Sequence, residues 1–308
     1  MATKRILTVV EPHGAGDQPV IARAAWLAES IGAEVELYSF SYDPSVETGP
    51  VAQVWAGAPG PRERILSVDR QLLEELAEPL RARGLTVSVD VAWHGPLEDA
   101  IARKVAQSEP WLVAKDVEHH NILQRTLLTN TDWSLIRHCE VPLLLVKPRR
   151  IAAHPTIIAA IDPMHDHDKP AQLDDAIVRF ADGLAVAADG VLHLVHAFAM
   201  PMRLDLPNDV REIVAQQHRA AVADFLKRHH RVPSTNVHFY EGAPQECLQR
   251  AAEQWQADFV AMGAVARTGL NRLLIGSTAE RLLDKLPCDV VILHPSWVTR
   301  VAVEQGGD

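Results

Sequence analysis

Each half of the chain opens with a short β-rich run that an acidic residue and a proline cut off. In the first half Ile6 to Val10 is followed by Glu11 and Pro12; in the second, Ile157 to Ile161 is followed by Asp162 and Pro163. Proline lacks the N–H that a strand interior donates, so each run ends at its corner. The same order of signals then follows in both halves. Amphipathic helix patterns cover Val20 to Ile31 and Leu173 to Ala188, and apolar strands follow at Glu34 to Phe40 and Val191 to Phe198. Further strands are expected at Val87 to Gly95 and Val237 to Gly242, ahead of helices at Leu97 to Gln107 and Glu246 to Gln254. The closing units start at Trp111 to Ala114 and Phe259 to Met262, and end at Val141 to Pro148 and Cys288 to Pro295. There Pro148 matches Pro295, an offset of 147 residues.

Alternating strands and helices, with near-continuous apolar strands, call for a parallel sheet covered on both faces. The expected architecture is α/β, with two tandem domains over residues 1–149 and 154–308, each with five parallel strands and four helices. Arg149 to Pro155 is the expected linker, and Tyr42 to Arg62 is expected to be an irregular loop. Its counterpart, Ala199 to Pro207, spaces Met200, Met202, Leu204 and Leu206 two apart, which presents one apolar edge. The strands at Leu143 to Val146 and Val290 to Leu293 are candidates for an edge where the domains pair with pseudo-two-fold symmetry. Such pairing would satisfy within one chain what single-domain proteins obtain by dimerising, with a further homodimer left open. Ligands of such sheets bind beyond the carboxyl ends of the strands, where strand order reverses. Both acid–proline corners lie at carboxyl ends.

Composition narrows the partners. With 40 acidic against 30 basic residues the formal net charge is -10, which argues against a general nucleic-acid or anionic-membrane surface. No apolar run approaches the roughly 20 residues that span a bilayer. The first apolar run stops at Glu11, too short for a signal-peptide core, so a cytoplasmic protein is expected. Cys139, Cys247 and Cys288 form no Cys-x-x-Cys pair and read as buried structural thiols.

One segment carries ligand chemistry. From Met262 to Thr278 a glycine-bearing loop follows an apolar strand and leads, through a pair of hydroxyls, into the helix pattern Ala279 to Leu286. Glycine lets backbone approach a phosphate, and the N–H groups of a helix start favour negative charge. Ser277 to Glu280 also reads as a capping box, a structural use for the same hydroxyl.

The repeat, this segment and the strand before it resemble the universal stress protein family, and its tandem E-type members most. The family's signature is Gly, two residues, Gly, nine residues, then Gly-Ser/Thr. Gly263 fits the first position and Gly276-Ser277 the third, while Ala266 replaces the second glycine. In the first half, Trp93-His94, Thr131 to Trp133, Arg137 and Cys139 look like the E-type subgroup. The resemblance implies a Rossmann-like fold of the adenine nucleotide alpha hydrolase type, and ATP as ligand. It implies that the corner at Asp162 and Pro163 meets adenine, that Met262 and Gly263 lie on the base and ribose side, and that Gly276, Ser277 and Thr278 hold phosphates. Arg267 would add a guanidinium to the phosphates, or else stand as an exposed charge. Alanine at 266 adds a methyl group where close approach is needed, so ATP binding weakened, altered or lost are all consistent with it. In the first half Asp116 stands where Gly263 does, His119 where Ala266 does, and Thr129 to Thr131 where Gly276 to Thr278 do. A carboxylate there repels phosphates, so one nucleotide site, in the second half, is expected.

The implied function is a cytoplasmic stress-response protein with ATP or a related nucleotide as a regulatory switch. The alternatives are a scaffold or a binder of another, lipid-like small ligand, and, more weakly, a slow ATPase. No Gly-x-Ser-x-Gly elbow or Gly-x-x-x-x-Gly-Lys-Ser/Thr loop is present, so no catalytic residue is assigned. His165 and His167, between Asp166 and Asp168, offer metal-ligand chemistry but match no zinc spacing, and no metal is expected. His193 and His196, three apart in a strand, must point to opposite faces.

Overall fold

The computed structural model describes residues 3–11, 18–48, 60–117, 119–120, 125–126, 128–164, 171–200, 208–264 and 282–298. It divides into two compact units, Met1–Val117 with Asn130–Val146, and Glu118–Thr129 with Lys147–Asp308.

In the first unit, strand β1 (Arg5–Val9) leads into helix α1 (Pro19–Ile31) and strand β2 (Glu34–Ser41). Proline opens α1, where its missing N–H is harmless, and Gly32 closes it with φ 66°, a left-handed backbone that suits glycine. Helix α2 (Pro44–Thr48) and helix α3 (Pro61–Ala82) precede strand β3 (Val87–Trp93). The expected loop from Tyr42 to Arg62 therefore needs correcting: it contains α2 and the start of α3. Pro44 and Pro61 are each the first residue of a helix there, the position where proline is tolerated. Residues 49–59 lie outside the described residues. Helix α4 (Leu97–Ser108) and strand β4 (Leu112–Asp116) follow. Next in the chain, within the stretch that belongs to the second unit, come two-residue strands β5 (His119–His120) and β6 (Arg125–Thr126), an antiparallel pair absent from the repeat pattern. Helix α5 (Asn130–His138) and strand β7 (Leu143–Val146) complete the half.

The strand order is β7-β4-β1-β2-β3, and these neighbours pair in parallel. The chain steps outward from β1 to β3, then returns to place β4 on the other side of β1, so the order reverses between β1 and β4. Strands β1 and β4 are buried over nearly their whole length, as covering on both faces requires, whereas edge strand β3 is buried only at Val87 and Val91.

The second unit repeats the plan. Strands β8 (Thr156–Ile161), β9 (Val191–Phe198), β10 (Val237–Glu241), β11 (Phe259–Gly263) and β12 (Asp289–Leu293) take the order β10-β9-β8-β11-β12, again parallel. Helices α6 (Ala171–Ala187), α7 (Asn208–Leu226) and α8 (Pro244–Gln254) connect them, and residues 282–285 are helical before β12. The apolar edge expected at Met202, Leu204 and Leu206 lies outside the described residues.

The expected linker is fastened to the second unit. Arg149 donates to the Ala257 carbonyl at 2.7 Å and to the Asp258 carboxylate at 3.1 Å. Asp258, only 2% exposed, also accepts from the backbone N–H of Ala152 at 3.3 Å and of Thr156 at 3.0 Å. Lys147 donates its backbone N–H to Asp289 at 2.9 Å and its ammonium to the Leu283 carbonyl at 2.8 Å. Burial pulls its pKa below the usual lysine range.

Candidate functional site

In the second unit the order reverses between β8 and β11, the place where a parallel sheet splays its loops apart. The two strands are paired through Phe259 with Ile157 and Ala261 with Ala159, so their carboxyl ends are neighbours. Asp162 and Pro163, both half-buried, follow the end of β8, while Met262 and Gly263 end β11. Four residues that the sequence nominates for one site are thus brought to one rim. Ala266, Arg267, Gly276, Ser277 and Thr278 lie outside the described residues, as do His165 and His167.

The rim is built by α6. A Cβ on Gly263 would stand 2.6 Å from Leu173 Cδ2 and 3.4 Å from Ile177 Cδ1, so glycine here lets α6 seat against β11. That packing is a second reason for the first glycine of the motif. Two residues after the start of α6, Leu173 is followed by fully buried Asp174, whose carboxylate oxygens each lie 3.2 Å from the Asp162 N–H. On the other side of the same peptide, the Ile161 carbonyl lies 3.1 Å from Nδ1 of His196 on β9, its registered neighbour. Both polar groups of the Ile161–Asp162 peptide are thus engaged within the fold.

The equivalent rim of the first unit differs. Lys115, aligned with Met262, is 2% exposed and its ammonium lies 3.2 Å from the carboxylate of Asp132, which is 0% exposed in the first turn of α5. The ammonium also donates to the Asp116 carbonyl at 2.9 Å, and the Asp116 carboxylate accepts from the Val20 N–H of α1 at 2.9 Å. Asp116 thus stands at the start of α1 and Asp132 in the first turn of α5, where N–H groups favour an anion, and the Lys115 ammonium pairs with the carboxylate of Asp132. The sequence comparison found Asp116 but not this pair, because Lys115 and Asp132 meet only when β4 is set against α5.

The histidines of β9 separate as their spacing requires. His193 lies 2.8 Å from His238 on β10 and stacks on Trp255 at 4.5 Å, whereas His196 lies 2.9 Å from His218 on α7. Burial lowers the pKa of His193, helped by the charge of His238, and burial also lowers that of His238. Among the described residues no group of three or more His, Cys, Asp or Glu could hold a metal ion. All three cysteines are buried, and desolvation pushes Cys139 and Cys288 up to about 12, so these two stay thiols at neutral pH. No helix among the described residues is long and apolar enough to cross a membrane.

The model of the universal stress protein family matches residues 2–147 and 156–294. Universal stress protein E of Salmonella typhi is 26% identical over 318 residues, covering 99% of each chain. Universal stress protein E of Escherichia coli (strain K12) is 26% identical over 304 residues, with 95% of this chain and 94% of that one covered. Among solved structures, a universal stress protein from Pseudomonas aeruginosa UCBPP-PA14 superposes with a TM-score of 0.76 at 26% identity, covering 100% of this chain and 99% of that chain. One from Archaeoglobus fulgidus shares the fold with a TM-score of 0.65 at 14% identity, over 96% of this chain and 100% of that chain.

Proposed function

This chain belongs to the universal stress protein family, and from that premise we propose that its second unit binds ATP or a related adenine nucleotide as a regulatory switch. The observation that carries the reading is the contrast between the two rims. At matching strand ends the second unit has Gly263 beside half-buried Asp162, and the first has the neutralised pair of Lys115 and Asp132. Asp162 can accept from an adenine amino group. Gly276, Ser277, Thr278 and Arg267 are residue types that suit phosphates, and Ala266 stands where the family signature has its second glycine. Nothing in this set activates a water or a nucleophile, so binding rather than turnover is the proposed activity, in the cytoplasm.

Isothermal titration of ATP into the purified chain tests the reading, repeated on Gly276→Trp, which fills the proposed phosphate loop. Saturable binding to the natural chain, lost in the variant, is expected; equal heats from both proteins sink the site. Ala266 favours a second reading, a scaffold or a binder of a different small ligand. Mass spectrometry of molecules retained through native purification separates the two, a phosphorylated nucleotide supporting the first and a lipid-like molecule the second.

A further inference from the structure

Strand β10 is the outer strand of the second unit, hydrogen-bonded to β9, and none of its residues is buried. With so little burial of its own, its attachment depends on particular contacts. One cluster supplies them. His238 is registered with Val195, two residues beyond His193, so the two rings stand diagonally on one face of neighbouring strands. Nδ1 of His193 and Nε2 of His238 lie 2.8 Å apart, and both rings lie against the Trp255 indole with centroids 4.5 Å away. Trp255 closes α8, its backbone N–H donating at 3.0 Å to the carbonyl of fully buried Ala251. Its indole Nε1 is buried with no hydrogen-bond partner among the described residues, so packing on the two rings is what seats it. Strands β9 and β10 and the end of α8 therefore meet at one stack.

A contact this short between two ring nitrogens is a hydrogen bond only when one carries a proton and the other a lone pair. Two neutral rings meet that condition. One added proton keeps the bond, and the indole face favours a cation, so burial is what opposes it. A second proton sets N–H against N–H and parts the rings. We propose that His193, His238 and Trp255 form an acid-released latch, which holds edge strand β10 and the end of α8 to β9 and loosens that edge on acidification while the rest of the unit stays closed. No ligand at the Asp162 corner is needed for it.

The charged groups on the packed elements are Glu246, Arg250 and Glu253 of α8, all exposed, and Glu241 of β10, which pairs with Arg211 at 3.4 Å. Arg250 lies over Tyr240 at 5.8 Å, and Glu253 accepts from Gln249 at 2.9 Å. Strand β8 sets Ile158 beside His193, and the turn before β10 contributes Asn236, whose amide donates to the Leu192 carbonyl at 3.0 Å. Helix α6 covers the opposite face, where Gly263 meets Leu173. No carboxylate acts on either ring: burial holds both below the usual histidine range, and the charge of His238 adds to this at His193. An opened edge takes up these protons more readily than a closed one, so the sign is that acid favours opening.

Amide exchange, corrected for its intrinsic pH dependence, is followed residue by residue at pH 7.5 and pH 5 in the natural chain and in His238→Gln, whose amide can keep the bond without titrating. In the natural chain, protection across β10 and at the end of α8 is expected to fall at least about threefold at pH 5, with β11 and β12 changing less than half as much. His238→Gln should show no such local fall. An even loss across the whole unit, or the same fall in His238→Gln, overturns the latch. Two further measurements hold even where that variant does not fold. Imidazole NMR of the natural chain is expected to show both rings titrating below the ordinary value of 6.5, and titration at or above it overturns the latch. Tryptophan fluorescence, quenched where an imidazolium lies on an indole, should fall from pH 7.5 to pH 5 in the natural chain and less in Trp255→Phe. An equal fall in both removes the stack as the sensor.

Discussion

At the scale of single residues, Gly263 does two things that a sequence motif merges into one. It ends β11 at the candidate site, and it admits the Leu173 side chain, which would lie 2.6 Å from an added methyl group. Gly263→Ala is therefore expected to cost about 1–3 kcal/mol by overpacking a closed contact, even in the absence of ligand. Urea denaturation of the two proteins measures it. The His193–His238 pair yields a pH prediction whose sign follows from its depressed pKa values. The unfolded chain takes up these protons more readily than the folded one, so the pair's contribution is complete above the ordinary histidine value of 6.5 and declines as pH falls below it. Thermal melts from pH 7.5 to 5 should show a smaller loss of stability in His238→Gln than in the natural chain. An equal loss would mean that the pair does not titrate on unfolding.

At the scale of elements, much was legible. The strand at 191–198 was read with the bounds it has, and α1 and α6 came within two residues, because their apolar periodicity is set by covering a central sheet. The opposite facing of His193 and His196 was also legible, since it follows from the two-residue period of a strand. Their partners were not, for His238 and His218 lie 45 and 22 residues away and are chosen by packing. Helix α2 escaped because its five residues are too few to show a period. Of the candidate site, the strand ends at Asp162 and at Met262 and Gly263 are neighbours because β8 and β11 pair, while the carboxylate of Asp174, which accepts from the Asp162 N–H, reads in sequence as an ordinary first-turn helix residue. The join between the halves reads as a plain linker, yet Asp258 gathers Arg149, Ala152 and Thr156 onto the start of β8. Asp258→Ala takes the acceptor from two backbone N–H groups and one of its bonds from the Arg149 guanidinium, for an expected loss of roughly 2–3 kcal/mol in denaturant titration. Asp258→Asn, which can still accept, should lose less.

At the scale of the whole molecule, duplication has been followed by divergence of chemistry on a retained frame. Both units keep the same strand order and the same point of reversal. What differs is the occupant of the rim, an internal ion pair in the first unit and a glycine beside a half-buried aspartate in the second. If that contrast governs binding, ATP titration should saturate at one nucleotide per chain, and a stoichiometry of two would show that the Lys115–Asp132 pair gives way to ligand.

The Glu118–Thr129 segment has a consequence in time. It is encoded in the first half yet belongs to the second unit, where the Leu128 N–H is held by the carboxylate of Asp284, 156 residues further on. At about 5–20 residues per second a ribosome takes roughly 8–30 s to deliver that partner. Until then the Leu128 N–H lacks the acceptor it has in the finished chain, whereas every residue of the first unit has already been made by Val146.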